Sequence, residues 1–307
     1  MSKPNSSEER QEHLLALAWS LWAELGVSGW HRSHSGCLID VEPLIIFTVA
    51  LGDMDPRLRD ESTDWCISYG RYVALQRMKN LLAEEPAGLQ RAFEEYAATV
   101  VAHSPLRWPS AGDPRPYKPS RRSRIEDFQR PSLLSLRLRA LFGVDARAEI
   151  IRIFVSGAPR PLTSTEIASE AGFTKRNVAN ALEALRMAGL VEVSPWRNQL
   201  RYRLARRSEL EQFLGELPKR FPPWRQLLRV AERLHSSAAR IEKMREPARM
   251  VEVSRLLVDL EPDLRSAGLR PPPSGSSDER WGLFESWAKE LLADLAGGKW
   301  EMLSIGF

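Results

Sequence analysis

The chain has 307 residues, 43% of them hydrophobic and 27% charged, and a formal net charge of +4. That length can bury substantial cores and suits two or three domains, and the composition excludes a disordered chain. The longest apolar run, PLIIFTVALG, is half of what a membrane-spanning helix needs, the polar start MSKPNSSEER has no signal-peptide core, and two cysteines, Cys37 and Cys66, cannot build a disulfide framework, so a reducing cytoplasm and no membrane partner are expected.

In chain order, SSEERQEHLLALAWSLWAELG places Leu14, Leu17, Leu21 and Trp22 at helical spacing and stops at Gly26. DVEPLIIFTVALG is a buried helix or a strand, ending at Gly52. Asp55-Pro56 has the form of an N-cap and first helical position, opening a helix through Trp65 and Ile67. Further helices fit Val73–Ala83 and Gly88–Val101, which makes 1–103 a helical N-terminal domain. The Pro- and Arg-rich stretch 104–131 is expected to be a linker or an extended arm.

The segment 132–207 carries the densest signals. Asp145 can cap a helix with Ala146, Ile150, Ile153 and Phe154 on its inner face. Thr163-Ser-Thr-Glu166 is a capping box, opening a short helix with Ile167, Ala168 and Ala171 inward. Gly172 and Phe173 make a turn, Thr174 caps a third helix, and Gly189 ends it. Val191 and Val193, then Leu200, Tyr202 and Leu204, alternate with polar residues as two strands around a loop Pro195–Gln199. Beyond it, 208–307 is expected to be a helical C-terminal domain. Helices fit Pro223–Ile241 and Pro247–Leu260, the stretch Gly268–Ser277 is a break, and Asp278–Leu295 carries a stripe of Trp281, Phe284, Trp287, Leu291 and Leu292.

Charge is unevenly spread. Leu133–Arg207 holds 13 Lys/Arg against 6 Asp/Glu, and Ser104–Pro131 holds 7 against 3, whereas the remainder is acidic. A basic middle between acidic flanks is the electrostatic footprint expected for a polyanion partner.

At 100° per residue, Val178, Ala181, Leu182 and Leu185 share one side of the third helix, and Arg176 and Asn180 lie nearly opposite, flanked by Ala179 and Asn177. The stretches LTSTEIASEAGFTKRNVANALEALRMAGLVEV and RNQLRYRLA, with LRALFGVDARAEIIRIFVSG before them, resemble the winged helix-turn-helix regulators of the ArsR and MarR type. They are most similar to the small winged domains that accompany nucleotidyltransferase-type toxin systems. The resemblance covers about a quarter of the chain. It implies a mainly α fold in which a central winged domain with a β-hairpin wing lies between two helical domains. It also implies that the outer face of the third helix enters the major groove of double-stranded DNA. Arg176 and Asn180 would then read base edges with Asn177 beside them, Thr174 and Lys175 would meet phosphates, and the wing residues Arg197, Asn198, Arg201 and Arg203 would follow the backbone or the minor groove.

Two other constellations have chemical potential. His31, His34, Cys37 and Asp40 recur every three residues with zinc-ligand chemistry, although the glycines and serines among them favour a loop. Asp53, Asp55, Asp60, Glu61 and Asp64 could hold Mg²⁺, or simply cap a helix and line its solvated side with Arg57 and Arg59 as partners. No phosphate-binding glycine loop and no nucleophile elbow occurs.

The expectation is a DNA-binding transcription regulator that is not an enzyme and needs no cofactor or metal. It is expected to be a homodimer through the C-terminal helices and the apolar tail KWEMLSIGF, with a small-molecule or protein effector at the N-terminal domain. Two rivals stand beside it. One is an antitoxin or accessory protein whose winged domain binds protein, and the other is a metal-dependent nucleic-acid enzyme using the N-terminal acidic cluster.

Overall fold

In a computed structural model, which describes residues 6–29, 32–157, 160–275 and 279–299, the chain is mainly helical with one small antiparallel sheet of three strands. The apolar spacing of Leu14, Leu17 and Leu21 yields α1 (Ser6–Glu24), whose apolar face is fully buried. DVEPLIIFTVALG is a helix, α2 (Val41–Leu51), buried along nearly its whole length. Asp55 caps α3 (Pro56–Tyr69) by accepting from the Leu58 N–H at 3.1 Å, and its other oxygen accepts from Trp19 Nε1 at 2.7 Å. Then come α4 (Leu75–Leu82) and α5 (Ala87–Ala102).

Residues 104–131 contain no regular element until a short 3-10 turn at Pro131–Leu133, as expected of an arm. The arm nonetheless lies on the helical body as a strap. Trp108 and Ile125 are buried in the core, and Trp108 stacks against Phe93 with ring centroids 6.3 Å apart. The Asp64 carboxylate accepts from the Tyr117 hydroxyl at 3.0 Å, the Ser120 hydroxyl at 2.9 Å and the Arg122 N–H at 2.9 Å.

The middle unit runs α6 (Leu134–Phe142), α7 (Ala146–Ser156), β1 (Leu162–Thr163), α8 (Ser164–Ala171), α9 (Lys175–Met187), β2 (Val191–Trp196), β3 (Gln199–Leu204) and α10 (Arg207–Leu214). The sheet order is β1-β3-β2, with Leu162 opposite Tyr202 and Val193 opposite Tyr202 on the other side. Ile150, Ile153, Ile167, Val178, Leu182 and Val191 form the centre of its own apolar core.

The C-terminal helices are α11 (Trp224–Ile241), α12 (Glu246–Ser266) and α13 (Arg280–Ala296). α12 continues past the expected end at Leu260 and contains Pro262, because Leu260 and Leu264 on either side of it are buried. Here the structure departs from the expectation of two separate helical domains. Residues of α1 to α5 and of α11 to α13 share one apolar core, with α1 packed on α13 and α2 on α11. The α13 stripe, expected either in the chain's own core or across a dimer, belongs to that core. Phe284, Leu291 and Leu292 are 1–2% exposed, and Trp281 and Trp287 pack at its margin. Most of the apolar tail, from residue 300 on, lies outside the described residues. No helix among the described residues is long and apolar enough to cross a membrane.

Candidate nucleic-acid interface

The outer face of α9 exists because its inner face is needed elsewhere. Val178, Ala181, Leu182 and Leu185 are buried in the middle core, which leaves Lys175, Arg176, Ala179 and Asn180 exposed and Asn177 half-buried. Thr174 caps the helix, its Oγ1 accepting from the Asn177 N–H at 3.3 Å. The preceding α8 is held by the expected capping box between Thr163 and Glu166. The Thr163 N–H and hydroxyl at that carboxylate draw the Glu166 pKa down to about 2. Gly172 joins α8 to α9 at φ +69°, and a Cβ there would sit 3.3 Å from Arg77 Cγ. The corner is thus reserved for glycine by conformation and by contact.

That corner is clamped to the helical body. Arg77 Nε on α4 donates to the Ala171 carbonyl at 2.9 Å, and Asn80 Nδ2 donates to the Gly172 carbonyl at 3.0 Å. Behind them lies a buried ionic network. The Arg77 guanidinium holds Asp40 and Glu42 at 2.5 to 2.6 Å, Arg139 holds Glu42 and Glu149 at 2.7 Å, and Arg152 closes on Glu149. Burial alone would raise Asp40, but Arg77 beside it holds its carboxyl below the usual range, and Arg139 does the same for Glu149.

The hairpin is longer than expected. Trp196 pairs with Gln199, so only Arg197 and Asn198 form the turn, with Arg197 at φ +53°. Both are exposed at the tip. The other two wing cations differ. Arg201 is half-buried with its guanidinium 5.0 Å from the Trp196 ring centre, and Arg203 is paired with Glu192 across the strands at 2.5 Å.

The basic surplus of the middle segment shrinks by the same sorting. Arg139 and Arg152 are buried on carboxylates, while Arg147, Arg186 and Arg207 sit on Asp145, Glu183 and Glu211. Lys175, Arg176 and Arg197 have no carboxylate partner among the described residues. The exposed cations left without a carboxylate are therefore on the α9 face and the wing tip, together with Arg206 just before α10.

The other constellations are otherwise engaged. His31 lies outside the described residues. His34 is fully buried between the Ser20 hydroxyl at 2.7 Å and the Leu295 carbonyl at 2.9 Å, and Cys37 is a buried thiol. Asp53 faces Arg59 and Arg115, Asp55 caps α3, Asp60 lies beside Arg59, and Asp64 holds the strap. Glu61 is raised by burial and by Asp64. No group of three His, Cys, Asp or Glu side chains placed to hold a metal occurs among the described residues.

Comparison with protein-family models, with curated proteins and with solved structures finds no match to this chain.

Proposed function

We propose that the chain is a regulator that binds double-stranded DNA, with α9 in the major groove and the β2–β3 hairpin on the adjoining backbone. The observation that carries this reading is the α9 face. Lys175, Arg176 and Asn180 stand exposed on a helix locked from behind by four buried apolar residues, with Ala179 small enough to let a base edge approach. Support comes from the element order α7, β1, α8, α9, β2, β3 and the sheet order β1-β3-β2, which agree with the order expected of a winged helix-turn-helix. Thr174, Lys175, Arg197 and Asn198 suit phosphates, Arg176 and Asn180 suit base edges, and Arg201 and Arg203 shape the wing more than they contact the duplex.

The test is selection of bound duplexes from random sequence, followed by single variants at fixed salt. Arg176→Ala and Asn180→Ala should each cost about 1–3 kcal/mol on the selected site and relax preference at particular base pairs. Lys175→Ala should weaken selected and random duplexes alike. Unchanged sequence preference in both Arg176→Ala and Asn180→Ala would remove α9 as the reading head.

A second reading rests on a different observation. Val193 and Leu200 on one face of the hairpin, and Met187 at the end of α9, are exposed at 39%, 52% and 77%, apolar side chains suited to a protein partner. An antitoxin-like role would use those side chains and survive Arg176→Ala.

A further inference from the structure

Arg137 on α6 is 9% exposed, yet no carboxylate pairs with it among the described residues. Its Nη1 donates to the Leu214 carbonyl at 2.6 Å and to Gln129 Oε1 at 3.2 Å, and its Nη2 donates to the Glu216 carbonyl at 3.2 Å. Its Nε has no acceptor. A guanidinium carries five N–H groups, so three are used, and the Nε–H and a second hydrogen on Nη2 are left over. Burial pushes its pKa down, against a partial pull upward from Asp127. This differs from Arg77 and Arg139, which are deeper but fully answered by carboxylates.

Arg137 lines a groove of about 430 Å³ where the body, the end of the strap and the middle unit meet. The walls are apolar, with Leu136 and Leu141 from α6, Phe213 from α10 and Phe128 from the strap. Leu141, Phe213 and Phe128 are 51%, 69% and 37% exposed, so the groove is uncovered. The other charged residue lining it is Arg71, which lies over the Tyr72 ring and has no carboxylate partner among the described residues. Two cations and no carboxylate therefore line an open apolar groove of the volume that holds a small organic molecule.

We propose that this groove binds a small organic acid, its carboxylate on the Arg137 guanidinium and its hydrocarbon or aromatic body between Leu136, Leu141, Phe128 and Phe213. The charge sets the choice of occupant. An apolar partner alone would leave the buried cation unanswered, whereas a carboxylate supplies the missing counter-charge and can accept from two N–H groups at once. The site is independent of the α9 reading and stands or falls separately from it.

The test is calorimetric titration of the full chain with 2-naphthoate and 4-phenylbutyrate, each against its primary amide. Saturable binding of one acid per chain is expected, with the amides at least tenfold weaker. Arg137→Gln should abolish the preference for the acid. Because that change also removes bonds to Leu214 and Glu216, Leu141→Asp and Phe213→Asp at the exposed rim provide a second arm. They should keep the wild-type melting temperature and lose binding of the acids. Equal binding of acid and amide, wild-type binding by the rim variants, or no saturable binding of either acid would overturn the proposal. So would a dimer in sedimentation that Leu141→Asp splits, because a second copy would then be the occupant.

Discussion

At His34 two hydrogen bonds dictate a proton. The Leu295 carbonyl can only accept, so Nε2 carries a hydrogen, and in the neutral ring Nδ1 accepts from the Ser20 hydroxyl. Burial pushes its pKa from 6.5 down to about 4 despite the Leu295 carbonyl, with Arg220 acting in the same direction as burial, so the ring is neutral near pH 7. An unfolded chain takes up a proton near pH 6.5 and the folded chain only near pH 4, so stability falls as pH drops through that window. The contribution at stake is about 3 kcal/mol. Denaturant titrations at pH 7 and pH 4.5 should show His34→Gln losing less stability on acidification than wild type, and an identical loss would remove His34 from the account. The same residue shows what spacing cannot decide. His34 and Cys37 were visible as metal-ligand types, but Ser20 and Leu295, which settle the role of His34, lie 14 and 261 residues away. Arg137 and Arg139 were equally opaque. In LLSLRLRALF they added to a basic surplus, and only the fold shows that both face inward.

Among the elements, legibility followed the range of the forces involved. α8 and α9 were readable almost to the residue because a capping box, an N-cap threonine, a glycine corner and a 3.6-residue apolar stripe act within a few positions of themselves. β1, two residues long, exists only by pairing with β3 and left no local trace. The strap was readable as irregular chain but not as docked chain, since a buried Trp108 and Ile125 among prolines form no periodic pattern. Its attachment can be broken at one point. Asp64→Ala removes the acceptor for Tyr117, Ser120 and the Arg122 N–H, each bond contributing about 1 kcal/mol or more. Trypsin should then cut at Arg121, Arg122 or Arg124 well before it does in wild type, with the helices still folded by circular dichroism. Equal cleavage rates would show that Trp108 and Ile125 hold the strap without Asp64.

Across the molecule the decisive fact is that the two flanking segments close one core. Amphipathic stripes on α1 and α13 were each legible, but the sequence pattern does not say which stripe meets which. A chain ending near Arg270 tests this. It would remove α13, which packs on α1, and with it the buried Phe284, Leu291, Leu292 and Leu295, each at most 2% exposed. At about 1.5–3 kcal/mol for each such side chain, the loss compares with the whole stability of a domain. The truncated chain should melt far lower or aggregate, and a soluble chain with the wild-type melting temperature would contradict the shared core.

The pairing of α1 with α13 also has a consequence for how the protein is made. Ala296 leaves the ribosome some 270 residues after Glu24, a delay of roughly 15 to 50 s at ordinary elongation rates. Throughout that interval the face of α1 that packs on α13 has no partner, while the middle unit, whose core is almost entirely its own, can already be complete. The interior part of the chain therefore matures before the ends that enclose it, and the nascent N-terminal helices are a natural client for a chaperone that holds apolar segments until synthesis finishes.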